Sequence, residues 1–496
     1  MSTPQTTRPT RRPAPDLEPV RVVVVGAGIA GLAAGAAVRR ERPDVEVVVL
    51  EASTQVGGKL RLAEVGGITV DVGAEAMLHR RPEAVELARS VGLGDRIVHP
   101  ASTSANVWSR GRMHALPRSL LGVPVDGKQL ADSGILSPQG LARAAMDAVL
   151  PQTHLDDRDV SIGWLIEERF GREVLDRLVE PLLGGVYAGH AKEISARAAA
   201  PQVVALLDRD RSMMKAAAAA VGSSTPSNDP VFAGLVGGVG QLAAAVAADL
   251  VVRTTTTARD LARSADGGWH VVVGPASAPE LVRADAVVVA TPASPSARLL
   301  AGVAPDAALE LASIEYASMA VVTMAFPAMA FPEVTGSGFL VPPVDRRQVK
   351  AATFSFQKWD WVREAGRAAG DDRADDVVVV RTSIGRHREE QQLQVDDAEL
   401  VARSVSDLRE AVGLEARTVD WNVQRWGGGL PQYAVGHLDR VRRIREGVAA
   451  VPGLAVCGAA YDGLGLPACI ASAEAAARQV LDQLPPSAGA RGTMEP

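Results

Sequence analysis

The chain has 496 residues, 47% of them hydrophobic and 22% charged, which is the balance of a folded globular protein and leaves room for about three domains. Its formal net charge of −6 lacks the basic excess of nucleic-acid binders, so we expect no nucleic-acid partner. Its two cysteines form no C-x-x-C pair and its eight histidines are scattered, so we expect neither a disulfide framework nor a metal site, and a cytoplasmic location.

Both ends of the chain are predicted to be loose tails. Residues 1–20 are rich in Thr, Pro and Arg and lack the apolar core of a signal peptide, and residues 485–496 read the same way. The most apolar later stretch, 319–332, is shorter than the roughly 20 residues that a membrane span needs. We therefore expect no transmembrane segment, while peripheral membrane contact is left open.

The first structured element is predicted to be a strand–helix–strand unit. Residues 22–25 are a β-branched run ending at Gly26, 32–40 have helical composition, and 45–50 form a second apolar run ending at Glu51. Similar buried-strand runs at 286–290 and 454–457 lie far downstream. The sequence thus predicts one parallel sheet assembled from separated pieces of chain.

The intervening segments have different patterns. Residues 130–220 contain long Ala- and Leu-bearing stretches and are predicted to be mostly helical, with a polar turn cluster at 223–230. Strand-like patterns dominate 319–384, especially at 321–326, 338–341 and 377–382.

A G-x-G-x-x-G loop, Gly26 to Gly31, lies between the first predicted strand and helix, with Glu51 twenty positions later. The glycines allow a tight turn and close approach to a pyrophosphate, and an acid at this distance can accept hydrogen bonds from a ribose. An ordinary strand–helix turn is the alternative. The V-G-G-K at 56–59 and D-V-G-A at 71–74 resemble the second signature of FAD enzymes of the glutathione-reductase type, and Glu51 disfavours NADP.

Several later sequence motifs are more specific for one protein family. They are E-P-L-L-G-G-V-Y-A-G at 180–189, G-S-G-F-L-V-P at 336–342, the segment 350–359, R-W at 425–426 with L-P-Q-Y at 430–433, and G-L-G-L-P-A-C-I at 463–470. In this order they resemble the HemY-type porphyrinogen oxidases, the protoporphyrinogen and coproporphyrinogen oxidases of the amine-oxidase-like flavoprotein superfamily. The resemblance covers nearly the whole chain.

The resemblance implies an α/β fold with a discontinuous Rossmann-like FAD-binding domain, a mixed-sheet substrate domain and a helical subdomain. The implied ranges are 21–100, 231–300 and 441–484 for FAD binding, 101–130 and 301–440 for substrate, and 131–230 for the helical subdomain. It implies noncovalent FAD, contacted by Gly26, Ala27, Gly28, Ile29, Ala30, Gly31, Glu51, Ala52, Gly58, Lys59, Gly73, Ala74, Glu75, Ala76, Ala258, Trp426, Gly465, Leu466 and Pro467.

The implied reaction is oxygen-dependent oxidation of a porphyrinogen in haem biosynthesis, with hydrogen peroxide as the second product. Because the cofactor carries the chemistry, no acid or base residue is assigned. Candidates for a flat apolar slot are Tyr187, Phe339, Leu340, Trp426 and Tyr461, and candidates for pairing propionates are Arg110, Arg112, His114, Arg118 and Lys350. For each, a packed core side chain or a solvated charge is the alternative.

One difference from the family pattern favours the bacterial coproporphyrinogen branch of the family. Where the mitochondrial and chloroplast members carry a propionate-binding arginine, this chain reads Ser104-Ala105-Asn106. That difference favours coproporphyrinogen III as substrate. The alternatives are a protoporphyrinogen IX oxidase, a flavin amine oxidase or desaturase, and a non-catalytic tetrapyrrole carrier. Transient contact with a ferrochelatase is left open, as is the oligomeric state.

Overall fold

The structure is a computed structural model and describes residues 19–223, 230–368 and 376–486. Most of the two predicted tails and of the predicted turn cluster at 223–230 lie outside these residues. The strands are β1 (Arg21–Val25), β2 (Glu46–Leu50), β3 (Leu62–Val65), β4 (Ile68–Asp71), β5 (Met77–Leu78), β6 (Ile97–Val98), β7 (Asn106–Ser109), β8 (Arg112–Ala115), β9 (Ser119–Leu120), β10 (Val123–Pro124), β11 (Phe232–Leu235), β12 (Val251–Arg253), β13 (Ala258–Arg263), β14 (Trp269–Val273), β15 (Glu280–Ala284), β16 (Ala286–Val289), β17 (Tyr316–Pro327), β18 (Gly338–Leu340), β19 (Val349–Phe354), β20 (Val377–Ile384), β21 (Asp420–Pro431) and β22 (Leu454–Val456).

The helices are α1 (Ile29–Glu41), α2 (Pro82–Ser90), α3 (Gly127–Asp132), α4 (Pro138–Ala145), α5 (Ile162–Phe170), α6 (Arg172–Val174), α7 (Glu180–Tyr187), α8 (Ala196–Ala199), α9 (Pro201–Val204), α10 (Met213–Ser223), α11 (Gln241–Ala247), α12 (Ala293–Leu300), α13 (Pro305–Ala312), α14 (Ser355–Lys358), α15 (Asp360–Ala368), α16 (Asp397–Val412), α17 (His437–Ala449) and α18 (Leu466–Leu481). A π-helical turn, Leu175–Val179, precedes α7.

A parallel five-stranded sheet, in the order β12-β2-β1-β16-β22, carries the glycine loop. Its central strand is buried on both faces, as the continuous valine run predicts. Val22 and Val24 belong to the core shared with α1 and α18, whereas Val23 and Val25 belong to the core shared with α12, α13 and α17. This is a Rossmann-like α/β arrangement, so the predicted fold class is confirmed.

A mixed seven-stranded sheet, in the order β21-β17-β20-β19-β18-β7-β8, forms the second layer. One of its faces packs on α16 through an aromatic core that includes Phe326, Phe339 and Phe354. Its pairs are antiparallel except for β18 with β7. The strand-dominated prediction for 319–384 overlooked α14 and α15, whose charged residues lie among the strands in sequence.

Short helices from α3 to α10 pack around a third core, in agreement with the helical composition of 130–220. This region is fixed by a buried ion pair in which Arg169 donates to the Asp147 carboxylate at 2.6 Å. The five-stranded sheet draws its strands only from the segments assigned to FAD binding, and the seven-stranded sheet only from those assigned to substrate. The exact domain boundaries stay a prediction.

Candidate active site

A cavity of about 1050 Å³ is lined by residues of both large sheets and of helix α7. One part of its wall is the glycine loop with the end of β2, and another part is the face of the seven-stranded sheet that turns away from α16. The cavity therefore joins the predicted nucleotide-binding segments to the predicted substrate domain.

The glycine loop has the shape that a pyrophosphate requires. Gly26 has φ of +105°, and a Cβ on Gly31 would collide with the Gly26 carbonyl oxygen, so neither position accepts a side chain. Gly28 precedes α1 and lines the cavity, and a Cβ there would meet no heavy atom within 4 Å. The free N–H groups and positive dipole end of α1 thus open onto space suited to an anion.

Glu51 is fixed at the end of β2 by two backbone donors. The N–H of Ala27 donates to Oε2 at 2.8 Å, and the N–H of Ser53 donates to Oε1 at 2.8 Å. Glu51 lines the cavity, as does Ala258 on β13. The carboxylate therefore ties the glycine loop to β2 and keeps further lone pairs for ribose hydroxyls.

The second signature continues the same wall. Gly57 and Gly58 have φ of +104° and +58°, and the N–H of Gly57 donates to the Ala27 carbonyl at 2.7 Å. A Cβ on Gly73 would collide with the Lys59 carbonyl oxygen. Lys59 lines the cavity, and burial lowers its pKa. These backbone contacts bring two segments distant in sequence against the glycine loop.

A buried charge network stands further along the cavity. Lys358 Nζ donates to Glu75 Oε1 at 2.5 Å and Arg381 Nη1 to Oε2 at 2.6 Å, while Arg381 Nη2 donates to the Gly73 carbonyl at 2.6 Å. Burial opposes ionisation of Glu75, but the two cations outweigh it and lower its pKa to about 2. The Glu75 carboxylate therefore stays ionised at neutral pH between two basic side chains.

Most predicted FAD contacts line this cavity, and three do not. Those lining it are Gly26, Gly28, Ile29, Ala30, Glu51, Ala52, Gly58, Lys59, Gly73, Ala74, Glu75, Ala76, Ala258, Trp426, Gly465 and Leu466. Ala27, Gly31 and Pro467 lie behind the lining, where the first two shape the loop through the contacts given above. The free backbone donors of α1, the open space in front of them and the positions that accept only glycine fit FAD.

Of the nine predicted substrate contacts other than Trp426, only Leu340 lines the cavity. The proposed aromatic slot is divided among packed cores. Phe339 packs on Trp108 and Phe354, Tyr187 packs on Tyr433, and Tyr461 is fully buried in the core beneath α17. For these three aromatics the structure shows the core side chains that were the alternative expectation.

The proposed cluster of carboxylate-binding residues is likewise not brought together at the cavity. Arg110 donates to the Ile135 carbonyl and pairs with Glu173, and His114 Nδ1 lies 3.0 Å from the Ser133 carbonyl oxygen. Arg112 and Arg118 are exposed, and none of the four lines the cavity. Lys350 lies buried beside Met319, behind the lining.

The rest of the lining includes residues that the sequence did not single out as site residues. They include Val186 on α7, Met319 and Val321 on β17, Thr353 on β19 and Arg381 on β20. Arg381 follows four consecutive valines in V-V-V-V-R-T, and a charge within such a buried run was the available signal.

A protein-family profile described as flavin-containing amine oxidoreductase matches residues 29–481. The chain belongs to this family. It is accordingly an FAD-dependent oxidoreductase, and both the family resemblance and the cofactor predicted from the sequence are confirmed. Members of the family differ in substrate, so the profile identifies the cofactor chemistry and not the molecule that is oxidised.

The chain is similar along its whole length to curated members. It is 36% identical over 477 residues to the coproporphyrinogen III oxidase of Mycobacterium tuberculosis strain ATCC 25618 / H37Rv, covering 94% of this chain and 99% of that protein. It is 28% identical to the coproporphyrinogen III oxidase of Bacillus subtilis strain 168, covering 93% and 98%. A crystal structure from Exiguobacterium sp. 255-15, provisionally named a protoporphyrinogen oxidase, superposes with a TM-score of 0.81 at 29% identity, covering 94% and 99%.

Two features of the described residues bear on alternative sites. None of the helices in those residues has the length and apolarity needed to cross a bilayer. The same residues contain no group of three or more His, Cys, Asp or Glu arranged to hold a metal ion.

Proposed function

We propose that this protein oxidises coproporphyrinogen III to coproporphyrin III, consuming three molecules of oxygen and releasing three of hydrogen peroxide. The observation that carries the proposal is the full-length similarity to coproporphyrinogen III oxidases, at 36% identity over 94% of the chain. The cavity supports it, since about 1050 Å³ that a flavin and a flat macrocycle would share lies between the two large sheets.

When bound, FAD supplies the electron acceptor for each two-electron oxidation step and returns the electrons to oxygen. The α1 N-terminus and Glu51 would hold its nucleotide part, with Trp426 and the Glu75–Arg381 pair on the wall further along. The basic side chains of that network, Lys358 and Arg381, would favour transfer of electrons to a flavin bound beside them.

The apolar part of the wall orients the substrate. Met319, Val321, Leu340 and Leu430 all line the cavity from the seven-stranded sheet or its end. Their side chains exclude water from the reacting carbon and hold a planar ring by contact, without a proton-transferring group. This arrangement suits a reaction whose rate depends on position rather than on a general base.

The decisive experiment compares coproporphyrinogen III with protoporphyrinogen IX on the holoenzyme. Porphyrin fluorescence gives kcat/KM, and an oxygen electrode gives oxygen consumed per porphyrin, with heat-inactivated protein correcting for spontaneous oxidation. We expect a clear preference for coproporphyrinogen III and three oxygen molecules per porphyrin. No enzyme-dependent oxidation of coproporphyrinogen III would overturn the proposal.

Protoporphyrinogen IX is the second candidate substrate, favoured by the provisional name of the Exiguobacterium structure. Equal or higher kcat/KM for protoporphyrinogen IX would move the assignment to it. Turnover of simple amines would instead indicate an amine oxidase. Porphyrinogen binding without oxygen consumption would indicate a carrier.

We further propose that the product passes to a ferrochelatase in a transient contact, and that any membrane association is peripheral. Val186 supports an accessible exit, because it lines the cavity and is 55% exposed. Competition by an excess of apomyoglobin that captures free coproporphyrin would distinguish direct transfer from release. Flotation with vesicles of anionic and neutral lipid would test the membrane contact.

A further inference from the structure

A bulge in β19 changes the side on which its side chains lie. Val349 pairs with Ile384 and Ala351 with Ser383, so two steps on β19 match one step on β20. Val349 packs in the aromatic core, whereas Ala351 lines the cavity, although residues two apart in a regular strand share a face. Lys350 is the additional residue of this bulge.

Lys350 lies on the cavity side of the sheet but is only 2% exposed. Its Nζ is 3.8 Å from the Sδ of Met319, and Met319 lines the cavity. A thioether is a weak acceptor for an ammonium group. One flexible side chain thus stands between the ammonium group and the cavity.

Arg386 brings a second positive charge to the same place. It is 6% exposed, its Nη2 donates to the Val341 carbonyl at 3.0 Å, and its Nη1 has no hydrogen-bond partner. A Cβ on Gly184 would collide with Nη1, so the guanidinium presses on α7 next to Gly185, which lines the cavity. The two cations therefore lie behind adjacent parts of the lining.

Burial lowers the pKa of Arg386, and the Glu389 and Glu180 carboxylates oppose this shift from beyond ion-pair distance. Within the described residues neither Lys350 nor Arg386 forms an ion pair at 4.0 Å or less. The nearby carboxyl of Glu180 accepts from the Ala191 N–H at 3.0 Å, and its other oxygen is buried without a partner. Burial raises the pKa of Glu180, while burial and Arg386 lower that of Lys350 to about 7.

A buried guanidinium with an unused donor, next to a buried lysine, is costly unless an anion reaches them. We infer that Lys350 and Arg386 form a carboxylate-binding subsite behind Met319 that receives one propionate of the porphyrinogen. Rotation of the Met319 side chain opens the way, and the planar ring remains against Leu340 and Ala351. The inference rests on the proposed function and names the part of the substrate that determines its orientation.

The test uses Lys350→Met holoenzyme, because methionine keeps the length and removes the charge. The substrates are coproporphyrinogen III and its tetramethyl ester, which has the same ring and no carboxylates. We expect kcat/KM for the free acid to fall about tenfold or more and kcat/KM for the ester to change less than about twofold. Lys350→Arg should recover most of the loss, and Lys128→Met, on the exposed start of α3, is the matched control.

A binding measurement separates the subsite from the reaction. Fluorescence titration gives the affinity of the protein for coproporphyrin III and for its tetramethyl ester, and Arg386→Lys, which keeps the charge but loses the fork, should weaken only the acid. Equal effects on acid and ester, or none on either, would overturn the subsite. If wild type oxidises neither porphyrinogen, the proposed function fails, and the titration still decides whether Lys350 and Arg386 bind carboxylates.

Discussion

Gly28→Val separates flavin binding from folding. Gly28 has φ of −68° and ψ of 172°, which any L-residue adopts, and a Cβ there meets no protein atom within 4 Å. The apo protein should therefore keep its stability to within about 0.5 kcal/mol, as for other substitutions that touch nothing. The new side chain would instead stand over the first turn of α1, inside the cavity.

The cost appears only when FAD binds. Forcing a side chain into closely packed space costs about 1–3 kcal/mol, which corresponds to roughly 5- to 150-fold weaker binding. Titration of apo protein with FAD, followed by flavin fluorescence, measures this loss, and thermal unfolding of the apo protein checks the fold. Unchanged FAD affinity would refute the assignment of the loop to the pyrophosphate.

Two further variants serve as controls, one expected to change nothing and one expected to destabilise the fold. Gly302→Val places the same side chain at an exposed glycine that also has no atom within 4 Å of its Cβ, and it should change neither measurement. Gly31→Ala places a methyl group against the Gly26 carbonyl and should destabilise the apo protein as well as reduce flavin content. A Gly28→Val variant that resembled Gly31→Ala would show that Gly28 serves the fold.

Three other substitutions test the buried charges. Glu75→Gln should lower the free energy of unfolding of the holoenzyme in urea by roughly 3–5 kcal/mol. The folded pKa of Glu75 is about 2 and its ordinary value is 4.5, so wild type should lose this contribution as the pH falls from 4.5 to 2. A variant whose stability falls with acid in the same way as that of wild type would contradict this prediction. Lys350→Met should raise Tm at pH 7 and below, where wild type keeps a buried charge. Because burial lowers the pKa of Lys350 from 10.5 to about 7, wild type gains stability as the pH rises from 7 towards 10.5. A difference in Tm between variant and wild type that did not shrink over this range would be evidence against the lowered pKa. Asp147→Asn should cost about 3–5 kcal/mol in urea unfolding because Arg169 stays buried and charged, and a change below 1 kcal/mol would show that it relaxes into water.

The nucleotide half of the site could be predicted because its determinants are local. The turn at Gly26, the helix that follows and the acid at Glu51 lie within one short unit, so spacing alone places them around one cavity wall. The dispersal of this sheet over the chain was also visible, since β1, β2, β16 and β22 are short buried apolar runs. The edge strand β12 was not predicted, because its residues are only partly buried.

The substrate half could not be predicted because it depends on which face each side chain takes. Phe339 and Leu340 are neighbours on β18, yet the first enters the aromatic core and the second lines the cavity. The β19 bulge moves Lys350 to the cavity side, and no sequence pattern marks its position. A basic residue predicted to bind substrate from its chemistry alone, such as Arg110, can instead form an ion pair with a carboxylate of the protein, here Glu173.

The order of strands in the five-stranded sheet has a consequence for synthesis of the chain. Val22 on β1 pairs with Val47 on one side and with Ala286, 264 positions later, on the other. While the ribosome makes the intervening residues, this strand has one open edge that attracts other strands. The outer strand β22 and helix α18 emerge later still, and the start of α18 adds Leu466 to the cavity wall. A nascent chain therefore cannot form the complete flavin site until the residues up to Cys469 have left the ribosome, and capture of FAD must follow the pairing of these distant segments.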